Sequence, residues 1–260
     1  MAEDRKPTRN FEDLVKIVKI LRNECPWDRK QTHQSIKDNL IEEAYEAVEA
    51  IDEEDFEELE KELGDVLLHV VFHSRMAEQT NTFSIENVIY SIQEKLIRRH
   101  PHVFGDEVAV DEDQVAENWE NIKMDEGKES VLDGIPKQLP ALIRAQRMQE
   151  KAANVGFDWP ESSQVWEKLE EELQEFKEVL AEENHQKSRE EFGDLLFSLV
   201  NIGRFFDLNA EDSLRATNKK FINRFQYIEQ TLQDEDKSIS ESSLEEMDKH
   251  WNDAKKLNEG

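Results

Sequence analysis

The chain has 260 residues, 37% of them hydrophobic, and a formal charge of −28, apolar content enough for one large or two small buried cores. So acidic a composition argues against general affinity for nucleic acid or anionic membrane, both of which select basic surfaces; a phosphate-bearing ligand would need bound cations or local Lys and Arg. No run approaches the roughly 18 apolar residues of a membrane span, and "MAEDRKPTRNFEDL" at the start has no apolar signal region, so a cytoplasmic protein is expected.

With 8 glycines and 6 prolines, and apolar residues recurring every three or four positions, the sequence predicts an all-α fold without strands. Cys25 is the single cysteine, which excludes an intrachain disulfide and a multi-cysteine zinc site. Leu40, Ala44, Ala47 and Ile51 form the apolar stripe of one helix; after the acidic turn "DEEDFEE", Val66, Leu67, Val70 and Val71 begin another. His69 and His73 follow on that helix, four apart, but without a third ligand or a catalytic Glu they read as structural. The chain breaks at "RRHPHVFGDE", where His100 and His102 are assigned no site, and again at "DEGKESVLDGIPKQLP". This predicts an N-terminal domain over 1–125, a linker over 126–137 and a C-terminal domain over 138–260. Met148, with Leu142, Ile143 and Ala152 around it, reads as packing.

The second half then repeats the first. "KLEEELQEFKEVLAEENHQKSREEFGDLLFSLV" aligns without a gap on "NLIEEAYEAVEAIDEEDFEELEKELGDVLLHVV". Glu42, Glu43, Glu46, Glu62, Gly64 and Asp65 map onto Glu171, Glu172, Glu175, Glu191, Gly193 and Asp194 at a constant offset of 129. Leu40 with Leu169, Leu67 with Leu196 and Val71 with Val200 obey the same offset. Weaker echoes follow: Lys95 and Arg99 match Lys220 and Arg224, and Trp119 with Lys123 matches Trp251 with Lys255. The fold expected is therefore two tandem helical-bundle domains.

On a helical wheel with Leu169 at the origin, Leu173, Phe176 and Leu180 lie within about 40° of it, Glu172 at about 300°, Glu175 at about 240° and Glu171 at about 200°. Glu172 and Glu175 are thus the inward pair and Glu171 points away. Glu191 and Asp194, three apart, share a face of the next helix. Four carboxylates brought together by two antiparallel helices would raise one another's pKa values unless a cation sits among them. Oxygen-only ligands suit Mg²⁺ or Mn²⁺ rather than zinc, and Mg²⁺ commonly shares its shell with substrate phosphates, which points to phosphoryl chemistry. Gly64 and Gly193, inside helices, each cost about 1 kcal/mol against alanine and predict close helix approach.

Beyond the doubled acidic motifs, "CPWDRKQTHQSI", "RRHPHVFGD", "VLDGIPKQLPALIRAQRMQEKAANVGFDWP" and the late Trp251 closely resemble the two-domain form of the MazG nucleoside triphosphate pyrophosphohydrolases, of the all-α NTP pyrophosphatase superfamily. The resemblance covers nearly the whole chain. It implies a homodimer and Mg²⁺-dependent cleavage of a nucleoside triphosphate to the monophosphate and pyrophosphate. Glu172, Glu175, Glu191 and Asp194 would hold the metal, with Glu172 or Glu175 also orienting or deprotonating the attacking water.

A triphosphate needs cations beside such a metal, and the two halves differ there. The second has Lys168, Lys187 and Arg189, where the first has Asn39, Glu58 and Glu60. Catalysis is therefore expected in the second half, with Lys168, Glu171, Lys187, Arg189, Lys220, Arg224 and Trp251 contacting substrate and Lys255 as a weaker contact; the first half is expected to be structural or dimerising. No base-reading motif stands out, so base specificity is read as broad or unresolved. The competing reading is a nonenzymatic helical module that binds nucleotide or a protein partner.

Overall fold

The computed structural model describes residues 6–105, 130–182 and 184–257, together with Val115 and Ile122. Trp119, Lys123 and residues 126–129 of the expected linker lie outside the described residues. Among the described residues every regular element is helical. The chain divides into two compact units, Met1–Ala109 and Val110–Gly260.

The first unit contains α1 (Phe11–Glu24), a single-turn helix over Asp28–Lys30, α2 (Lys37–Asp52), α3 (Phe56–Gln79), α4 (Ile85–Arg99) and the short α5 (Pro101–Phe104). α2 and α3 form an antiparallel hairpin, and α1 and α4 pack on α3. The hairpin turns through Glu54, whose φ of 56° ends α2 in the left-handed region. Asp55 then caps α3 by accepting from the amides of Glu57 and Glu58 at 3.1 and 3.0 Å. Val18, Ile36, Val71, Phe72, Met76 and Ile85 make the buried core. Arg22 is buried against it, stacks over Phe72 at 5.4 Å, and donates to Gln79 and to the carbonyls of Asp28 and Gln31. One side chain thereby fixes the "CPWDRKQ" loop onto α1 and α3.

The second unit repeats this plan with α6 (Ala141–Ala153), α7 (Ser162–Ala181), α8 (His185–Phe205), α9 (Ala210–Asp234) and α10 (Leu244–Leu257). α7 and α8 form the hairpin, α6 and α9 pack on α8, and α9 also meets α6 and α10. Local signals are duplicated too. Asn184 stands at the position of Asp55 and caps α8 by accepting from the amide of Lys187 at 3.2 Å. The buried positions Ile36, Ala50 and Val71 recur as Val165, Val179 and Val200.

Two expectations need correction. The buried face of α7 runs through Val165, Glu172 and Val179, whereas Leu173 and Leu180 are exposed. The face is rotated by about 60° from the Leu169-centred stripe. In α2 the same rotation buries Ala47 and Ala50 and leaves Ile51 exposed. Gly64 and Gly193 do not mark close helix approach either: a Cβ on either would meet nothing within 4 Å. Each follows the cluster glutamate by two residues, about 200° round the helix and so on the opposite side.

Candidate active site

The rotated face places Glu172 in the middle of the α7–α8 contact. It is 6% exposed, a burial that carboxylates tolerate only when paired or coordinated. Glu175, one turn on, and Glu191 of α8 bring oxygens to it, such that one from each residue lies within 4.8 Å of the others. Burial, and then the charges of Glu175, Asp194 and Glu172, push the Glu191 carboxyl above its ordinary range. Among the described residues the cation paired with the cluster is Lys168, whose Nζ stands 2.7 Å from Glu172 and 3.0 Å from Glu171. Hydrogen bonds to these two carboxylates raise its pKa.

The first unit holds the equivalent cluster. Glu43, Glu46 and Glu62 also have oxygens within 4.8 Å of one another. Asn39 stands where Lys168 does, and the electrostatics differ accordingly. Glu62 is pushed up to about 7 by burial and by Glu46 and Glu58; Glu43 is raised by burial and by Glu46 and Asp65. Both sets are oxygen-only, convergent and self-repelling, which fits a hard divalent cation.

The clusters diverge in what lies next to them. In the second unit a cleft of about 480 Å³ opens beside the carboxylates and shares Lys168, Glu172 and Asp194 with them. Its other walls come from Met148 and Gln149 of α6, Phe157 and Trp159 of the following loop, and Phe197 of α8. Gly156, at a φ of 83°, turns that loop, and Arg204 straps it to α8 through Asp158 at 2.9 and 2.5 Å. Arg204 also donates to Asn201 at 3.1 and 2.9 Å. At the matching positions of the first unit, His69 stands for Ser198 and the core residue Phe72 for Asn201.

Of the residues singled out from sequence, the structure therefore unites Lys168, Glu171, Glu172, Glu175 and Glu191, with Asp194 acting on Glu191 by charge. Lys187 and Arg189 are exposed, and Lys187 lies 3.9 Å from Glu182 rather than on a cluster carboxylate. Lys220 is exposed on α9, Arg224 stacks over Trp251 at 5.4 Å, and Trp251 packs on Phe221 at 5.2 Å. Among the described residues, none of these five lines the cleft. Met148 and Ala152, read as packing, do line it. In the first unit His73 meets His33 of the preceding loop, Nδ1 to Nδ1 at 2.8 Å.

Sequence reasoning passed over Gln149, Asp158, Asn201 and Arg204. A signal for two of them existed. Asp194, Ser198, Asn201 and Arg204 fall within about 120° of one face along the otherwise apolar last three turns of α8, a polar line leading away from the metal-site candidates.

A family profile for the MazG nucleotide pyrophosphohydrolase domain matches residues 31–104 and 161–228, one match on each hairpin. The chain is 47% identical over 250 residues to a Thermotoga maritima protein named nucleoside triphosphate pyrophosphohydrolase/pyrophosphatase MazG, covering 94% of this chain and 95% of that one. It is 40% identical to the Escherichia coli K12 nucleoside triphosphate pyrophosphohydrolase, covering 95% and 97%. The uncharacterized protein YabN of Bacillus subtilis is 48% identical over 98% of this chain, which spans 53% of YabN.

Proposed function

Because this chain belongs to the MazG nucleotide pyrophosphohydrolase family, we propose that its second unit cleaves nucleoside triphosphates to the monophosphate and pyrophosphate with a divalent cation, Mg²⁺ or Mn²⁺, held by Glu172, Glu175, Glu191 and Asp194. The observation that carries this reading is the cleft: the second carboxylate cluster opens onto a cavity that shares Lys168, Glu172 and Asp194 with it.

The bound cation would polarise the phosphoryl oxygens and lower the pKa of a water. The chain's own residues do the rest. Lys168 lies at the junction of cluster and cleft, where its charge offsets that of the triphosphate. Glu175, exposed beside buried Glu172, has room to orient the attacking water and accept its proton. Lys187, Arg189, Lys220, Arg224 and Trp251 remain candidate contacts with the substrate, and Glu171 reaches it through Lys168.

We further propose a homodimer. Ile51 and Leu67 in the first hairpin, and Leu180 and Leu196 in the second, are exposed at equivalent positions, and a second copy would cover these apolar faces. The charge of −28 speaks against nucleic acid or anionic lipid as partner. Among the described residues no helix is long and apolar enough to cross a membrane, and a cytoplasmic location is proposed.

The test is pyrophosphate release from ATP, GTP, CTP and UTP. Release with Mg²⁺ and its loss in EDTA are expected; orthophosphate as the product, or undiminished turnover in EDTA, refutes the reading.

A further inference from the structure

In the first unit, two neighbouring imidazoles on α3 each have a ring nitrogen that is buried without a hydrogen-bond partner, Nδ1 of His69 and Nε2 of His73. A buried polar atom left unpaired is costly enough to call for an explanation. The two residues are four apart and so share a face of the helix. Their ring centroids lie 6.1 Å apart, with the planes tilted by 32°. Two imidazoles that bind one metal at about 2.0–2.1 Å have centroids about 4.5–6.4 Å apart, according to the angle at the metal. The observed spacing falls inside that range, and histidines at i and i+4 are a recurring way for a helix to hold zinc.

The fold also supplies what the sequence pair lacked, a third imidazole, from a loop 40 residues before His73. Nδ1 of His33 faces Nδ1 of His73 at 2.8 Å, with the ring planes 15° apart, so the two nitrogens share one proton. When His73 donates it, the lone pair of His73 is on Nε2, the buried nitrogen. Metal-bound histidines ordinarily donate their second ring N–H in this way, which fixes the tautomer and the ring orientation. His33 is itself held in place. Buried Arg22 donates to the Gln31 carbonyl at 3.0 Å, and the hydroxyls of Ser35 and Thr32 each accept from the other's amide, at 2.9 and 3.2 Å. Burial holds both His69 and His73 below the ordinary imidazole range; the charges of His33 and His69 add to the effect at His73, and Asp65 opposes it at His69. Both rings are thus neutral near pH 7, the form in which imidazole binds metal.

We propose that His69 Nδ1 and His73 Nε2 chelate a divalent cation of borderline softness, Zn²⁺, Ni²⁺ or Cu²⁺, and that His33 orients the His73 ring. Nitrogen donors separate this site from the oxygen-only cluster of Glu43, Glu46 and Glu62, which suits a hard cation. Asp65, one turn before His69 and acting on it by charge, is the candidate third ligand, and waters complete the shell. Both rings are half-buried and His33 is exposed, which leaves the ion a path from solvent. The second unit has Ser198 and Ile202 at the equivalent positions, so the site occurs once per chain.

The test is calorimetric titration with Zn²⁺ of the full-length, tag-free protein, stripped of metal and then saturated with Mg²⁺ to occupy the carboxylate clusters. Zn²⁺ is expected to bind at one site per chain for which Mg²⁺ does not compete. His69→Gln and His73→Gln, of similar volume and polarity, should each weaken that binding about a hundredfold or more, and His33→Gln about ten- to a hundredfold, as for loss of an orienting partner. Cu²⁺ in place of Zn²⁺ should give an electron paramagnetic resonance spectrum with hyperfine splitting from two nitrogens, a readout on the wild type that stands even where a variant fails to fold. Absence of Zn²⁺ binding in the presence of Mg²⁺, a Cu²⁺ spectrum with oxygen ligands alone, or full Zn²⁺ affinity in folded His69→Gln or His73→Gln overturns the proposal. Unchanged affinity in folded His33→Gln overturns its orienting role.

Discussion

At Glu172 a carboxylate occupies a helix position that valine or leucine would ordinarily fill. Its neighbours at the buried face are Val165 and Val179, and its ion pair is with Lys168 at 2.7 Å. Replacing Glu172 or Glu175 with Gln removes a charged ligand at nearly constant volume and should lower kcat by about a hundredfold or more while circular dichroism stays unchanged. Glu171→Gln, exposed and touching the site only through Lys168, should cost far less; equal losses at all three would refute the assignment of roles. Glu62 supports a prediction about pH. Its folded pKa, about 7, exceeds the ordinary carboxylate value, so its contribution to stability is complete below the unfolded pKa and fades as pH rises through about 7. In EDTA, Glu62→Gln should therefore raise the melting temperature at pH 8 but scarcely at pH 5, and a gain larger at pH 5 would contradict the shift. The glutamates were legible in the sequence because duplication separated them from an acidic background. The exact phase was not: a stripe built from apolar residues alone pushed Glu172 to the border, when a glutamate amid valines was itself the mark of the buried face.

At the level of elements, each hairpin is specified twice over, by its acidic motif and by a cap at the turn, Asp55 in one and Asn184 in the other. These local signals lie within a few residues of the chain, which is why the helices and their pairing could be read from sequence. The cleft could not, since it joins α6, the loop after it and α8, and its strap from Arg204 to Asp158 spans 46 residues. Glycines show the same limit. Gly64 and Gly193 face open space, whereas Gly203, unremarked in sequence, sits where a Cβ would come within 3.0 Å of the Leu208 carbonyl as the chain turns out of α8. Gly203→Ala should destabilise the second unit by about 1–3 kcal/mol, measured by urea unfolding, and a neutral result would show that the turn relaxes freely. Leu232→Ala, at a 1% exposed position on α9, should cost about 2–5 kcal/mol in the same assay.

The molecule as a whole is a duplication whose copies have parted in the residues around their carboxylates. Both units retain three converging glutamates, yet in the second Lys168 takes up part of the charge and a cleft adjoins the cluster, whereas in the first Asn39 replaces the lysine and Phe72 fills the core where Asn201 lines the cleft. A triphosphate brings several negative charges and a divalent cation offsets only part of them, so a cluster with asparagine in place of the adjoining lysine is less suited to productive binding. Glu172→Gln combined with Glu175→Gln should thus abolish pyrophosphate release, while Glu43→Gln combined with Glu46→Gln should leave it largely intact. Sedimentation must accompany both measurements, because the exposed apolar residues of the first hairpin, Ile51 and Leu67, make it a candidate for the dimer contact, and a lost dimer could mimic a lost site. Wild type and both double variants are expected to sediment as dimers at micromolar concentration. Substantial turnover by the second-unit variant, or loss of turnover in a folded, dimeric first-unit variant, would transfer the chemistry to the other half of the chain.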